Sequence, residues 1–170
     1  ERAGDFVVTI GGYHPRFKPP SDYPTPRRFL VTWKKGLINF RISAYFAVTP
    51  THIMAGGEFK AVAKNSSGSL KATFRLWANF LIKFRPFTYF IDGGFEISAS
   101  YTYKKWGISI TFRASVGAAF EMWGPEFGGK VKLKIIGIRF TIPFGNQTIP
   151  GTDKIPWSQF KKELFCLGKF

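Results

Sequence analysis

From Leu70 to Phe84 the chain alternates without a break. Leu70, Ala72, Phe74, Leu76, Ala78, Phe80, Ile82 and Phe84 share one phase, and Lys71, Thr73, Arg75, Trp77, Asn79, Leu81 and Lys83 share the other. A helix would scatter this pattern around its circumference, whereas a strand sends alternate side chains to opposite faces. At ~3.3 Å per residue the strand spans about 50 Å, against a usual length of ~5–6 residues. A strand this long needs neighbours of similar length to satisfy its backbone.

The sequence supplies them. Leu37–Val48 places Ile38, Phe40, Ile42, Ala44, Phe46 and Val48 on one side, and a weaker strand, His52–Ala63, follows around Gly56-Gly57. A glycine pair inside a strand predicts a bulge, a bend or close approach of other atoms. Phe87–Tyr103 and Trp106–Met122 alternate in the same way, and Lys130–Phe144 reads as a last long strand whose phase slips at Ile135-Ile136, the mark of a bulge. Shorter strands are predicted at Asp5–Ile10 and Phe29–Trp33. Between them Pro15, Pro19, Pro20, Pro24 and Pro26 impose an irregular loop over 13–26, because proline fixes φ and lacks a donor. Short turns between long strands require antiparallel neighbours.

The expectation is one all-β domain over 1–170, with six to eight antiparallel strands in meander order across 1–145. Either a strongly curved sheet or an up-and-down β-barrel satisfies it. The tail, 146–170, changes character: Trp157, Phe160 and Leu164 fall at helical spacing, which predicts a short C-terminal helix at one end of the apolar side.

Composition narrows the classes. Aromatics make up 18% of the chain, with 20 Phe, which suits wide sheet faces or an aromatic-lined interior. No apolar run reaches the ~18 residues that a transmembrane helix needs. The net charge of +15 attracts anionic partners. Cys166 is the only cysteine, so no intrachain disulfide forms, and one cysteine with two histidines gives no zinc-ligand spacing. Asn65-Ser66-Ser67 and Asn146-Gln147-Thr148 are candidate N-glycosylation acceptors that allow a secreted chain. The chain starts at Glu1 with nothing of signal-peptide form, which predicts a processed chain or a piece of a longer one.

The glycine, proline and aromatic punctuation is ordered. Asp5-Phe6-Val7-Val8-Thr9-Ile10-Gly11-Gly12-Tyr13-His14-Pro15 is followed by Pro19-Pro20, Tyr23-Pro24, Ala44-Tyr45-Phe46-Ala47, Met54-Ala55-Gly56-Gly57 and Trp123-Gly124-Pro125-Glu126-Phe127. From Gly4 to Phe144 this series resembles a microbial domain family of unknown function, usually embedded in much longer proteins. The resemblance implies an all-β module and brings no established activity.

The apolar phase has to be covered, and four readings follow. The first is a binding protein in which Phe40, Phe46, Phe74, Phe80, Phe95, Phe112 and Phe120, with Tyr13 and His14 of the proline loop, enclose a small apolar or aromatic molecule such as a lipid, pigment or metabolite. The second is an assembly module whose apolar face pairs with neighbouring domains or copies. The third is a membrane β-barrel with that face outward. The fourth is an enzyme, for which no constellation stands out. His14 lacks a second acid/base partner and reads as a pin for its loop. Glu121 and Glu126 flank a turn with nothing to bring them together. No cofactor is expected beyond a small apolar molecule. Arg41, Lys71, Arg75, Lys83, Arg113, Lys130, Lys132 and Lys134 make the polar phase a cationic face for an anionic partner. Most aromatics lie on the opposite phase, which weighs against nucleic acid.

Overall fold

The computed structural model describes residues 6–149 and is all-β in them. Nine strands form one antiparallel sheet: β1 Val8–Ile10, β2 Phe29–Lys35, β3 Ile38–Val48, β4 His52–Lys64, β5 Leu70–Lys83, β6 Thr88–Lys105, β7 Ile108–Gly124, β8 Gly128–Ile135 and β9 Ile138–Gly145. From β3 to β9 each strand pairs with the next, a meander built on the long alternating segments. β1 and β2 share one edge of β3, lying end to end opposite Phe46–Val48 and Ile38–Ala44 respectively. The sheet is open, since β9 pairs only with β8 and the far edge belongs to β1 and β2. The barrel alternative is thereby corrected to an open sheet. The predicted C-terminal helix, Cys166 included, lies outside the described residues.

The predicted single strand over Lys130–Phe144 is two. The phase slip at Ile135-Ile136 is a reversal of the chain, not a bulge: Ile136 (φ 44°) and Gly137 (φ 88°) form a two-residue turn that pairs Ile135 with Ile138. Positive φ at both central residues is the hairpin geometry that matches strand twist. The Gly56-Gly57 pair leaves the β3–β4 register unbroken. It serves close approach instead: a Cβ on Gly56 would lie 2.5 Å from Asn79 Oδ1 and 2.6 Å from the Tyr45 ring.

Registry fixes the two faces. One carries Phe40, Phe46, Phe59, Phe74, Phe80, Phe95 and their cross-strand partners, the other Arg41, Lys60, Arg75, Tyr45, Asn79 and Asp92. The small buried core lies on the second, polar face. Tyr45, Ala47, Met54, Phe90 and Trp123 are its buried apolar residues among those described. Ala47, Met54, Leu81, Phe90 and Trp123 form one row across five strands. The proline-rich segment closes over the start of that row, with Tyr13 and Phe17 packed against Tyr45, Ala47 and Met54.

Gly11 (φ 73°) and Gly12 (φ 88°) let the chain leave the sheet after β1. A side chain at Gly11 would be strained by this left-handed backbone and would crowd Phe29 N at 2.8 Å. Arg28 ties the returning end down, donating to Gly11 O at 3.1 Å and Tyr13 O at 2.9 Å.

Candidate functional site

Two regions invite a functional reading, one on each face. The apolar face has rows of large residues beside a row of small ones. Phe46, Ala55, Phe80, Ile91 and Met122 run across β3 to β7 in one row, and Ile42, Phe59, Leu76, Phe95 and Ala118 in another. Between them lie Ala44, Gly57, Ala78 and Gly93. Ala44, Gly57 and Ala78 of the small row floor an open trough of about 750 Å³ walled by Ile42, Phe59, Leu76, Phe95 and Phe120. All seven phenylalanines expected to line a binding site fall on this face, and Phe46, Phe74, Phe80, Phe95, Phe112 and Phe120 are exposed on it. Trp33 stacks on Phe40 at 4.8 Å, and the ring series continues through Phe59 to Phe74.

Tyr13 and His14 lie on the opposite side, in the loop over the polar face. The Tyr13 hydroxyl donates to Pro24 O at 2.8 Å, and the His14 amide donates to Met54 Sδ at 3.4 Å. His14 Nδ1 accepts the Arg16 amide at 3.0 Å, which leaves Nε2 3.7 Å from Asp92 Oδ1. Below it the Tyr45 hydroxyl donates to Asn79 Oδ1 at 2.9 Å, and Asn79 Nδ2 donates to Asp92 Oδ2 at 2.9 Å. The guanidinium of Arg28 caps the Tyr45 ring at 3.9 Å, and that of Arg16 caps Phe90 at 3.5 Å. Burial pushes the Tyr45 hydroxyl pKa well up, with Arg28 opposing and Asp92 adding to the shift.

The arrangement is a clasp. His14 is 2% exposed, so its ring is closed to any substrate. What it does chemically is hold the loop. Burial lowers its pKa below the usual 6.5, Asp92 works against that shift, and Arg16 and Arg28 reinforce it. His52 is lowered too, by burial and then by Lys83. A base with a depressed folded-state pKa leaves the unfolded chain holding more protons. Stability is therefore full above about 6.5 and declines as pH falls from there through the folded-state value. Glu121 adds nothing in that window. Its burial alone would raise its pKa, but bonds from Lys132 and Lys130 outweigh it, so its contribution is lost only below its usual 4.5. Urea midpoints are expected to fall between about pH 7.5 and 5.5, with a smaller fall in His14→Asn, which removes one of the two titrating rings.

The remaining candidates take separate places. Glu121 stands on the polar face with ion pairs to Lys130 at 3.1 Å and to Lys132. Glu126 lies in the β7–β8 turn and accepts the Asn146 side-chain amide. The Asn65 amide nitrogen donates to Ser67 and Ser69 Oγ, both at 2.9 Å, so both sequon asparagines have their side-chain nitrogen engaged, Asn65 within its own turn and Asn146 by Glu126 of the β7–β8 turn. The expected cationic residues share the polar face, where Arg75 pairs with Glu58 at 2.5 Å and Lys134 with Glu96 at 2.8 Å. Among the described residues no cluster of His, Cys, Asp and Glu could hold a metal.

Sequence reasoning missed the trough and the polar-face core. The signals were present: Gly57 and Gly93 in the apolar phase, and Tyr45, Leu81 and Trp123 as large apolar side chains on the wet phase. The motif segments around His14, Tyr45, Met54 and Trp123 also share the polar side of the sheet, where all four side chains are buried.

Over the described residues these features define an open, single-sheet β domain, clasped on its polar face and bare on its apolar one. The chain belongs to a family of unknown function, DUF6603, whose model matches residues 1–169. No curated protein and no solved structure matches the chain.

Proposed function

We propose that the chain is a non-enzymatic assembly module whose apolar sheet face is covered by the same face of a second copy. The observation that carries this reading is the bare face itself. Stable domains bury apolar sheet faces against a second layer, and here the only second layer among the described residues is the loop on the other side. Exposed patches of this extent mark interaction surfaces.

Shape and size support a copy of the chain as the cover. A ridge of large residues beside a trough of small ones is self-complementary, and a two-fold axis seats each ridge in the opposite trough. Eight strand positions at ~4.8 Å and a shared strand length of about 30 Å give roughly 1,100 Å² per copy. The pair would bury more than about 2,000 Å², the range of obligate homodimers. Sedimentation across a concentration series tests this: a dimer is expected, and a monomer at every concentration overturns it.

The trough favours a second reading, in which it takes up a small apolar molecule such as a lipid, pigment or metabolite. Its volume of about 750 Å³ falls in the range of small-molecule sites. Native mass spectrometry of the purified chain is then expected to show a retained mass, removed by organic extraction. A bare mass from every preparation counts against it.

A further inference from the structure

The β6–β7 hairpin outruns the rest of the sheet. β5 accompanies β6 only as far as Leu70 opposite Tyr101, and β8 meets β7 only from Val116 opposite Ile135. The Thr102 amide still donates to Ser69 O at 2.8 Å; beyond it the hairpin pairs only with itself, through Tyr103–Ile110 and Lys105–Ile108, and turns at Trp106-Gly107. At ~3.3 Å per residue the tip stands about 13 Å past the end of β5. The ribbon is amphipathic: Tyr101, Tyr103, Ile108, Ile110 and Phe112 share its apolar face, with Lys105 opposite Ile108 at the end of it, while Thr102 and Thr111 join hydroxyls at 3.0 Å on the other, beside Lys104.

Its tip is chemically unusual. Trp106 is 89% exposed and holds φ 53°, in the left-handed region where glycine or asparagine sits without strain. A large apolar ring is thus kept exposed at the tip of the longest hairpin described, in a conformation that penalises it. The charge around it is also one-sided. In the part of the sheet beyond the row Arg41–Lys60–Arg75–Glu96, the basic residues are Lys34, Lys35, Lys64, Lys71, Lys104, Lys105 and Arg113, and there is no carboxylate among the described residues. The opposite end, with Glu126 in its turn and exposed Phe84 and Phe127, has neither the uniform charge nor an apolar residue at positive φ.

We propose that the β6–β7 ribbon docks the chain on an anionic lipid bilayer, with Trp106 and the adjoining apolar face entering the interface, while Lys104 on the polar face and Lys105 at the end of the apolar one extend their ammonium groups to the headgroups together with their basic neighbours. Tryptophan and tyrosine favour that depth, and lysines near an anionic leaflet add an attraction that falls within a Debye length. A ribbon held only by its own pairing can tilt to meet the surface without disturbing the sheet. The inference does not rest on the two-fold pairing of the apolar face.

Vesicle co-sedimentation of the full chain tests it, with phosphatidylcholine alone and with about a quarter phosphatidylserine. Binding is expected to the mixed vesicles only and to weaken with salt. Trp106→Asn is expected to lower the partition coefficient at least tenfold through lost apolar contact. The same change is expected to raise the thermal midpoint by about 2–4 °C, because asparagine tolerates the turn. A merely structural tryptophan would move both readouts down together. Replacing Lys104 and Lys105 by serine is expected to cost about 30-fold. Ile136→Asn relieves the same backbone conformation at a tip set about 26 Å further back, and is expected to leave binding unchanged. Equal binding to neutral vesicles, no binding to either, or undiminished binding by Trp106→Asn would each overturn the proposal. So would a Trp106→Asn chain that binds vesicles as before but loses self-association, since the tip would then be a contact between copies.

Discussion

Trp123→Ala is expected to cost about 3–5 kcal/mol, the usual range for deleting a buried large aromatic. Trp123 is 1% exposed, the largest fully buried side chain described, and ends the row that begins at Ala47 and runs through Met54, Leu81 and Phe90. Its indole donates to Asn146 O at 3.0 Å, which joins the sheet to the segment that follows β9. The loss is large for this chain because its polar-face core is small, and the clasping loop depends on that core for its footing. Urea midpoints, with near-ultraviolet circular dichroism to report on core packing, check the value. A cost below about 1 kcal/mol would mean that the loop, not the row, holds this end together.

Phe95→Lys is expected to abolish pairing of the apolar faces while leaving the clasp intact. Phe95 stands beside the trough between Leu76 and Ala118 in the register, on the face opposite Trp123. In a two-fold pair a lysine there is buried without a counter-charge, twice, once from each copy. A weakening of at least about 100-fold is the hot-spot scale for such a position. Sedimentation reports the monomer, and the near-ultraviolet signal reports that the core is undisturbed. If the variant pairs as tightly as the parent, another surface makes the contact. A monomeric Phe95→Lys chain is also the reagent with which vesicle binding can be read without self-association.

Much of the architecture follows from local alternation. Leu70–Phe84, Leu37–Val48, Phe87–Tyr103 and Trp106–Met122 became β5, β3, β6 and β7 within a few residues of their expected ends. A period of two admits only a strand, and short turns admit only antiparallel neighbours. The reversal at Ile136-Gly137 was less legible, because isoleucine is a poor residue for positive φ and its phase slip looks the same as a bulge.

Local pattern alone was enough for the strands from β3 to β7, their order and the division of residues between two faces, all of which depend on near neighbours in the chain. Which face is covered emerged only from the folded chain. Polar content pointed to the Arg41–Arg75 side as the wet one, yet that side holds the buried core, because Gly11, Gly12 and Arg28 fold the proline loop onto it. The phenylalanine side is the bare one among the described residues. Closure of a sheet and the placement of a loop depend on contacts between distant segments. A periodic pattern carries no information about those, since it reads the same whichever face is the inside.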